Sequence, residues 1–152
     1  VDDWDLGNQQ EKYRYQDTDI AFSPNLIWAN RFNYQFNKKT NLQFISKYVG
    51  EQFIDNTSSE DRKLDEYLTH TARVSYNMES KLFDIVKWTF QVNNLLDLNY
   101  ANNAWIYRFV SDGYDPRPDN PYVNLNSEGS YDMAGYFPQA KRNFLLGLTL
   151  GF

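Results

Sequence analysis

The stretch FNYQFNKKTNLQFISKYVG, residues 32–50, places Phe32, Tyr34 and Phe36 on one parity before the NKKT turn. Leu42, Phe44 and Tyr48 share one parity after it. Successive side chains point to opposite faces only in a β-strand, so this period of two demands strands with one apolar and one polar face. The pattern recurs at Phe22, Leu26, Trp28 and Phe32, at Leu68, Ala72, Val74 and Tyr76, and at Val86, Trp88, Phe90 and Val92. It returns at Phe144, Leu146, Leu148, Leu150 and Phe152, with Asn30 as a polar break in the first stretch. The reading is an all-β, antiparallel meander with strands over 22–36, 41–54, 66–77, 85–94 and 140–152.

A conventional core draws on Leu, Ile and Val, whereas this chain relies on rings: aromatics make up 18% of its 152 residues. Mean hydropathy is nonetheless polar, at -0.72. Rings with polar tips suit strands and the two rims of a membrane. The absence of cysteine excludes a disulfide framework and thiol chemistry. A net charge of -5 and the lack of a basic tract argue against nucleic acid as a partner. No apolar run is long enough for a membrane-spanning helix, so any crossing must use strands.

The connections alternate in length. NKKT (37–40) and ESKLFD (79–84) are short, whereas 55–65 and 97–138 are hydrophilic and long, and residues 1–20 read as a polar loop. Short turns at one end and long loops at the other, joining strands of about 9 to 11 residues, are the habit of transmembrane barrels. The expectation is therefore an antiparallel transmembrane β-barrel segment in a bacterial outer membrane, with 1–20, 55–65 and 97–138 as extracellular loops. Trp28, Phe32, Phe44, Val74, Trp88, Phe90, Leu146 and Leu148 are expected to meet lipid, and Arg73, Gln91 and Thr149 to be shielded from it. Two competitors are a complete eight-stranded barrel, which must recruit KYRYQ, WIYRFV and YVNLN, and a soluble β-sandwich.

Three segments carry a family resemblance. FQVNNLLDLNYANNAW (90–105) resembles the penultimate-strand motif of TonB-dependent outer-membrane receptors. YFPQAKRNFLLGLTLGF (136–152) resembles their last strand, and AFSPNLIWANRFNYQF (21–36) a strand that opens on a Ser-Pro pair. The Tyr-, Asn- and Lys-rich flavour is similar to receptors of Bacteroidetes-type bacteria. The resemblance implies a barrel of about 22 strands with an N-terminal plug. Residues 1–152 then read as the C-terminal part, the last five strands, because a closed barrel needs about 8. It implies energised, TonB-dependent uptake of a scarce nutrient such as a siderophore, vitamin, glycan or peptide, with no enzymatic activity and no cofactor. The alternative is a receptor-like barrel serving as a structural or binding subunit of an outer-membrane complex. Implied partners are the rest of the barrel and plug, the TonB system through an N-terminal region, the barrel assembly machinery, outer-membrane lipid and a surface lipoprotein.

Individual residues add little chemistry. His70 is the only histidine, and the nearby Ser75 lies on the opposite parity, which reads as a rim residue rather than a catalyst. Asp112, Asp115 and Asp119 are candidate Ca²⁺ ligands interrupted by Pro116 and Pro118, and read as solvated loop acids. Tyr107, Tyr114, Tyr122 and Tyr131, with Tyr136, are candidate ligand contacts or loop packing. Arg31, Lys47, Arg73 and Lys87 share the inward parity, where pairing with acids competes with a charge-lined path. By resemblance, Leu146, Leu148, Leu150 and the terminal Phe152 carry the assembly signal, offered as an unpaired edge.

Overall fold

A computed structural model of the chain describes residues 1–3, 5, 9–10 and 12–152. In chain order the strands are β1 (Asp2–Asp3), β2 (Gln9–Gln10), β3 (Ile27–Gln35), β4 (Thr40–Val49), β5 (Gln52–Phe53) and β6 (Lys63–Leu64). Then follow β7 (Tyr67–Met78), β8 (Ile85–Asn93), β9 (Ala101–Val110), β10 (Val123–Leu125), β11 (Tyr131–Pro138) and β12 (Asn143–Gly151). The fold is all-β with antiparallel sheets, and no helix occurs among the described residues.

The chain divides into two units. One, the meander unit, comprises Leu26–Gly50, Glu66–Tyr100 and Gln139–Phe152. Its sheet has the order β12-β8-β7-β4-β3, every pair antiparallel, and it is open, with β3 and β12 as edges. The five segments read from period two are all present, but the outer limits of three contract. The first starts at Ile27 rather than 22, because Phe22 takes a positive φ of 55° and Pro24 can donate no ladder bond. The second stops at Val49. Gly50 N donates to Leu26 O at 2.9 Å and closes the ladder there, and Gln52–Phe53 pairs instead with Lys63–Leu64. The last begins at Asn143, after Arg142 N donates to Asp97 Oδ1 at 2.8 Å.

The segment NNLLDL, within the motif at 90–105, is a built turn. Asn94 and Asp97 both adopt positive φ, at 49° and 58°, which Asn and Asp tolerate better than most residues. The Asn94 side chain accepts from Leu98 N at 3.0 Å and donates to the carbonyls of Leu98 and Ala140 at 2.8 and 3.2 Å. One buried amide thus holds the exit of β8 to the approach of β12.

The other unit, the loop unit, comprises Val1–Asn25, Glu51–Asp65 and Ala101–Pro138. Residues 97–138, expected to be a long extracellular loop with local pairing at most in WIYRFV, hold the ten residues of β9 together with β10 and β11. The sheet order is β10-β11-β9-β1-β2, with β1 parallel to β9 and the other pairs antiparallel. WIYRFV has no clean alternation because β9 is covered on both faces. Ala104 and Ile106 pack with Ile54 and Leu64. Tyr107 and Phe109 pack with Val123, Tyr131 and Met133 on the other side. Residues 1–20 likewise contribute two short pairings, β1 and β2. WIYRFV and the centre of YVNLN are strands, as the eight-stranded alternative required, but they join this separate sheet and not the meander.

Candidate functional site

The register of the meander unit sorts side chains into rows across the sheet. Phe32, Phe44, Ala72, Val92 and Phe144 form one row, and Tyr34, Leu42, Val74, Phe90 and Leu146 the next. A third carries Tyr76, Trp88 and Leu148, and a fourth Met78, Val86 and Leu150. The residues expected to share one face do share it. Most of these side chains are exposed, with Phe32 at 64% and Leu146 at 71%. Both buried apolar clusters of the described residues belong to the loop unit, so the meander's apolar rows form an open face.

The opposite parity is polar and bonded to itself. Arg73 Nε donates to Gln91 Oε1 at 2.6 Å, Gln91 Nε2 to Asn93 Oδ1 at 2.6 Å, and Asn93 Nδ2 to Asn143 Oδ1 at 2.9 Å. Gln43 Nε2 donates to Asn33 Oδ1 at 2.7 Å. Arg73 is therefore neutral-amide bonded here, while Arg31 and Lys47 on the same face are exposed and Lys87 is half-buried.

His70 finds a serine, but not Ser75. Ser46 Oγ lies 2.8 Å from His70 Nδ1, and the Phe44 ring stacks on the imidazole at 5.3 Å. Asn30, Ser46 and His70 make a single cross-strand row on the apolar face, with serine in the middle. A nucleophilic triad needs the histidine in the middle, so the row reads as a polar strip in which Ser46 is itself buried.

In the loop unit the candidate tyrosines separate. Tyr131 is buried, and Tyr107 and Tyr131 each stack on Phe109 at 5.5 Å, which places both in its aromatic core. Tyr107 also donates to Asp2 Oδ2 at 2.8 Å, and this bond lowers the Asp2 carboxyl below its ordinary range. Tyr114, Tyr122 and Tyr136 are exposed, Tyr114 donating to Asp119. Asp115 is held by a two-pronged Arg117 pair, at 2.9 and 2.7 Å, and its pKa is lowered by that bonding. Among the described residues no group of three or more His, Cys, Asp or Glu, Asp112, Asp115 and Asp119 included, is placed to hold a metal ion.

Sequence reading gave no hint of Arg62, which sits in the hydrophilic run DNTSSEDRKLDE yet is fully buried. The β5–β6 ribbon fixes it: Ile54 N donates to Arg62 O at 2.9 Å, and Arg62 N to Ser59 O at 3.0 Å. Arg62 Nε donates to Asp132 Oδ2 at 2.8 Å and Nη1 to Thr57 Oγ1 at 2.8 Å. Asp55 Oδ2 lies 3.7 Å from Nη1 and Glu128 Oε2 lies 3.5 Å from Nη2. Burial acts against the guanidinium's charge, but the Asp132 hydrogen bond and the three carboxylates outweigh it and raise the pKa. Glu128 also pairs with Arg108, whose guanidinium lies over the Tyr13 ring at 5.5 Å.

Comparison with known proteins finds no matching family model, no matching curated protein and no matching solved structure.

Proposed function

We propose that this chain is the C-terminal segment of a TonB-dependent receptor barrel in a bacterial outer membrane, acting in energised uptake of a scarce nutrient. The observation that carries the reading is the division of the meander into an open apolar face and a hydrogen-bonded polar face. An apolar surface of this extent needs a cover, and lipid covers a barrel wall without any partner chain. The open edges of β3 and β12 support the same reading, since a wall segment must pair on both sides with the rest of its barrel. So does connectivity: the short turns join strands at one end of the meander, and every excursion into the loop unit leaves from the other.

Uptake, rather than a static wall, rests on the resemblance of residues 21–36, 90–105 and 136–152 to the receptor family. In this reading the loop unit is extracellular and is the part of these residues available to a nutrient. Leu146, Leu148 and Leu150 lie on the apolar face of the β12 edge, and Phe152 is almost fully exposed, its ring edge-on to Phe83 at 5.0 Å. That placement suits an assembly signal read by strand addition.

The test is a nitroxide scan of the intact receptor in bilayers, with a lipid-soluble and a water-soluble quencher. Labels at 32, 44, 74, 90 and 146 should respond to the lipid-soluble quencher, and labels at 73, 91 and 149 should not. Equal response on both parities overturns the membrane reading.

A further inference from the structure

The loop unit contains a cavity of about 240 Å³ that no part of the uptake reading uses. Ile54, Ile106, Leu125 and Ala134 line its apolar part with Tyr136 beside them, and its polar part carries the carboxylates of Asp61 and Asp132 and the amides of Asn124 and Asn126. Ala134 and Ile106 are register partners on β11 and β9, so the apolar part rests on a regular ladder. Pockets for drug-sized molecules run to about 300–1,000 Å³, so this one accepts a side chain or a comparably small group.

Asp132 supplies the decisive atom. It is 7% exposed, and its Oδ2 is taken by Arg62 Nε at 2.8 Å. Its Oδ1 is buried and has no hydrogen-bond partner among the described residues. A buried carboxylate oxygen without a donor is costly, and a charged donor relieves it best. The surrounding charge has the same sign: Asp55, Glu128 and Asp132 pair with Arg62, Glu128 is shared with Arg108, and Asp61 adds a fourth carboxylate to the cavity lining. Asp61 accepts from the Ser127 amide at 2.9 Å and hydroxyl at 2.6 Å, and Arg62 acts on it only through its field.

We propose that this cavity binds an organic cation, an ammonium or guanidinium head on a short aliphatic stem, as on a lysine or arginine side chain. The head donates to Asp132 Oδ1 under the field of Asp61, and the stem lies along Ile54, Ile106 and Ala134. A neutral sugar would also meet Tyr136 and the carboxylates, but it leaves the surplus negative charge uncompensated. The site lies wholly within the loop unit and does not depend on the membrane reading.

The test uses the 152-residue chain in detergent micelles, titrated with Nα-acetyl-lysine methylamide and followed by NMR shifts of the Ala134 and Asp132 amides. The neutral isostere Nα-acetyl-norleucine methylamide and methyl glucoside are titrated in parallel. The expected result is saturable binding of the lysine probe alone, weakened about tenfold by Asp132→Asn, the worth of one charge-assisted bond. Asp61→Asn should weaken it less, and Ala134→Leu, which fills the apolar part and leaves Arg62 and Asp132 in place, should abolish it. If Asp132→Asn does not fold, Asp61→Asn and Ala134→Leu decide. Equal binding of the norleucine probe, binding of methyl glucoside in place of lysine, unchanged affinity in Ala134→Leu, or no binding to the folded chain each overturn the proposal.

Discussion

The indole of Trp105 occupies the space that a side chain on Gly135 would need. A Cβ built on Gly135 would come within 2.2 Å of Trp105 Nε1 and 2.5 Å of Cε2. The two residues are direct partners between β9 and β11, so the ring lies across the neighbouring strand. Gly135→Ala must displace the ring or part the strands, an overpacking cost of about 1–3 kcal/mol. The expected outcome is a shifted Trp105 environment and weaker amide protection at 104–106 and 134–136. Exchange mapped by NMR against the parent chain checks both.

Arg62 tests how the loop unit is held together. Replacing it with Met leaves Asp132, already short of one donor, buried without its main partner. Breaking a buried pair by removing one member costs about 3–5 kcal/mol. Residues 51–65 and 101–138 should lose protease resistance together, while the β3–β4 and β7–β8 hairpins keep theirs. Limited proteolysis with mass mapping distinguishes this from general unfolding. The paired change Arg62→Met with Asp132→Leu should recover a large part of the loss, because the stranded carboxylate is then gone.

The Asp61–Ser127 contact predicts an acid-sensitive loop. Hydrogen bonds from the Ser127 side chain and backbone hold the Asp61 carboxyl below its ordinary 3.8. A group with a lowered folded pKa contributes stability that is fully present above the unfolded value and is lost as pH falls through the folded one. Exchange of the Ser127 amide should therefore be slow and flat above about pH 5 after correction for intrinsic rates, and accelerate as pH drops below the ordinary aspartate range. In Asp61→Asn that acid step should vanish. An identical acid step in the variant would assign it to another group.

Asn94 is expected to be sensitive to changes that look mild. Asn94→Ala forfeits three hydrogen bonds at a buried position and places a Cβ residue without Asn's tolerance at a φ of 49°. Asn94→Gly keeps the backbone freedom and loses only the bonds, so it should be the milder of the two. A loss of about 2–3 kcal/mol is expected for Asn94→Ala, read from the urea midpoint of the refolded chain.

The meander was legible because each strand keeps one face for apolar side chains, and Trp88, Phe90 and Val92 announce it without knowledge of their neighbours. Its ends were less legible, since the chain leaves the ladder after the Gly50–Leu26 bond to pair Gln52–Phe53 with Lys63–Leu64, contacts between residues distant in sequence. The loop unit's sheet was hidden for the opposite reason. β9 packs apolar side chains on both faces, so Ile106 and Tyr107 follow one another without a period, and β11 carries Asp132 and Gly135 where a strand pattern expects apolar groups. Arg62 and Asp132 stand 70 residues apart and meet only through the fold. The Ser46–His70 pair is a matter of register, and parity along one strand cannot supply a partner from the next.

Leu148 and Thr149 are adjacent on β12 and separate the two faces most sharply. Leu148 continues the row of Tyr76 and Trp88, whereas Thr149 pairs with Lys87 on the polar side. If the apolar face meets lipid near mid-bilayer, Leu148→Arg should cost about 2–4 kcal/mol in bilayer folding equilibria, and Thr149→Arg much less. In detergent the gap between the two should shrink, because a micelle lets a long cationic side chain reach water. The measurement is the urea dependence of the protein's folded fraction in both media. Equal costs for the two substitutions in bilayers would mean that the face carrying Leu148 is covered by something other than hydrocarbon.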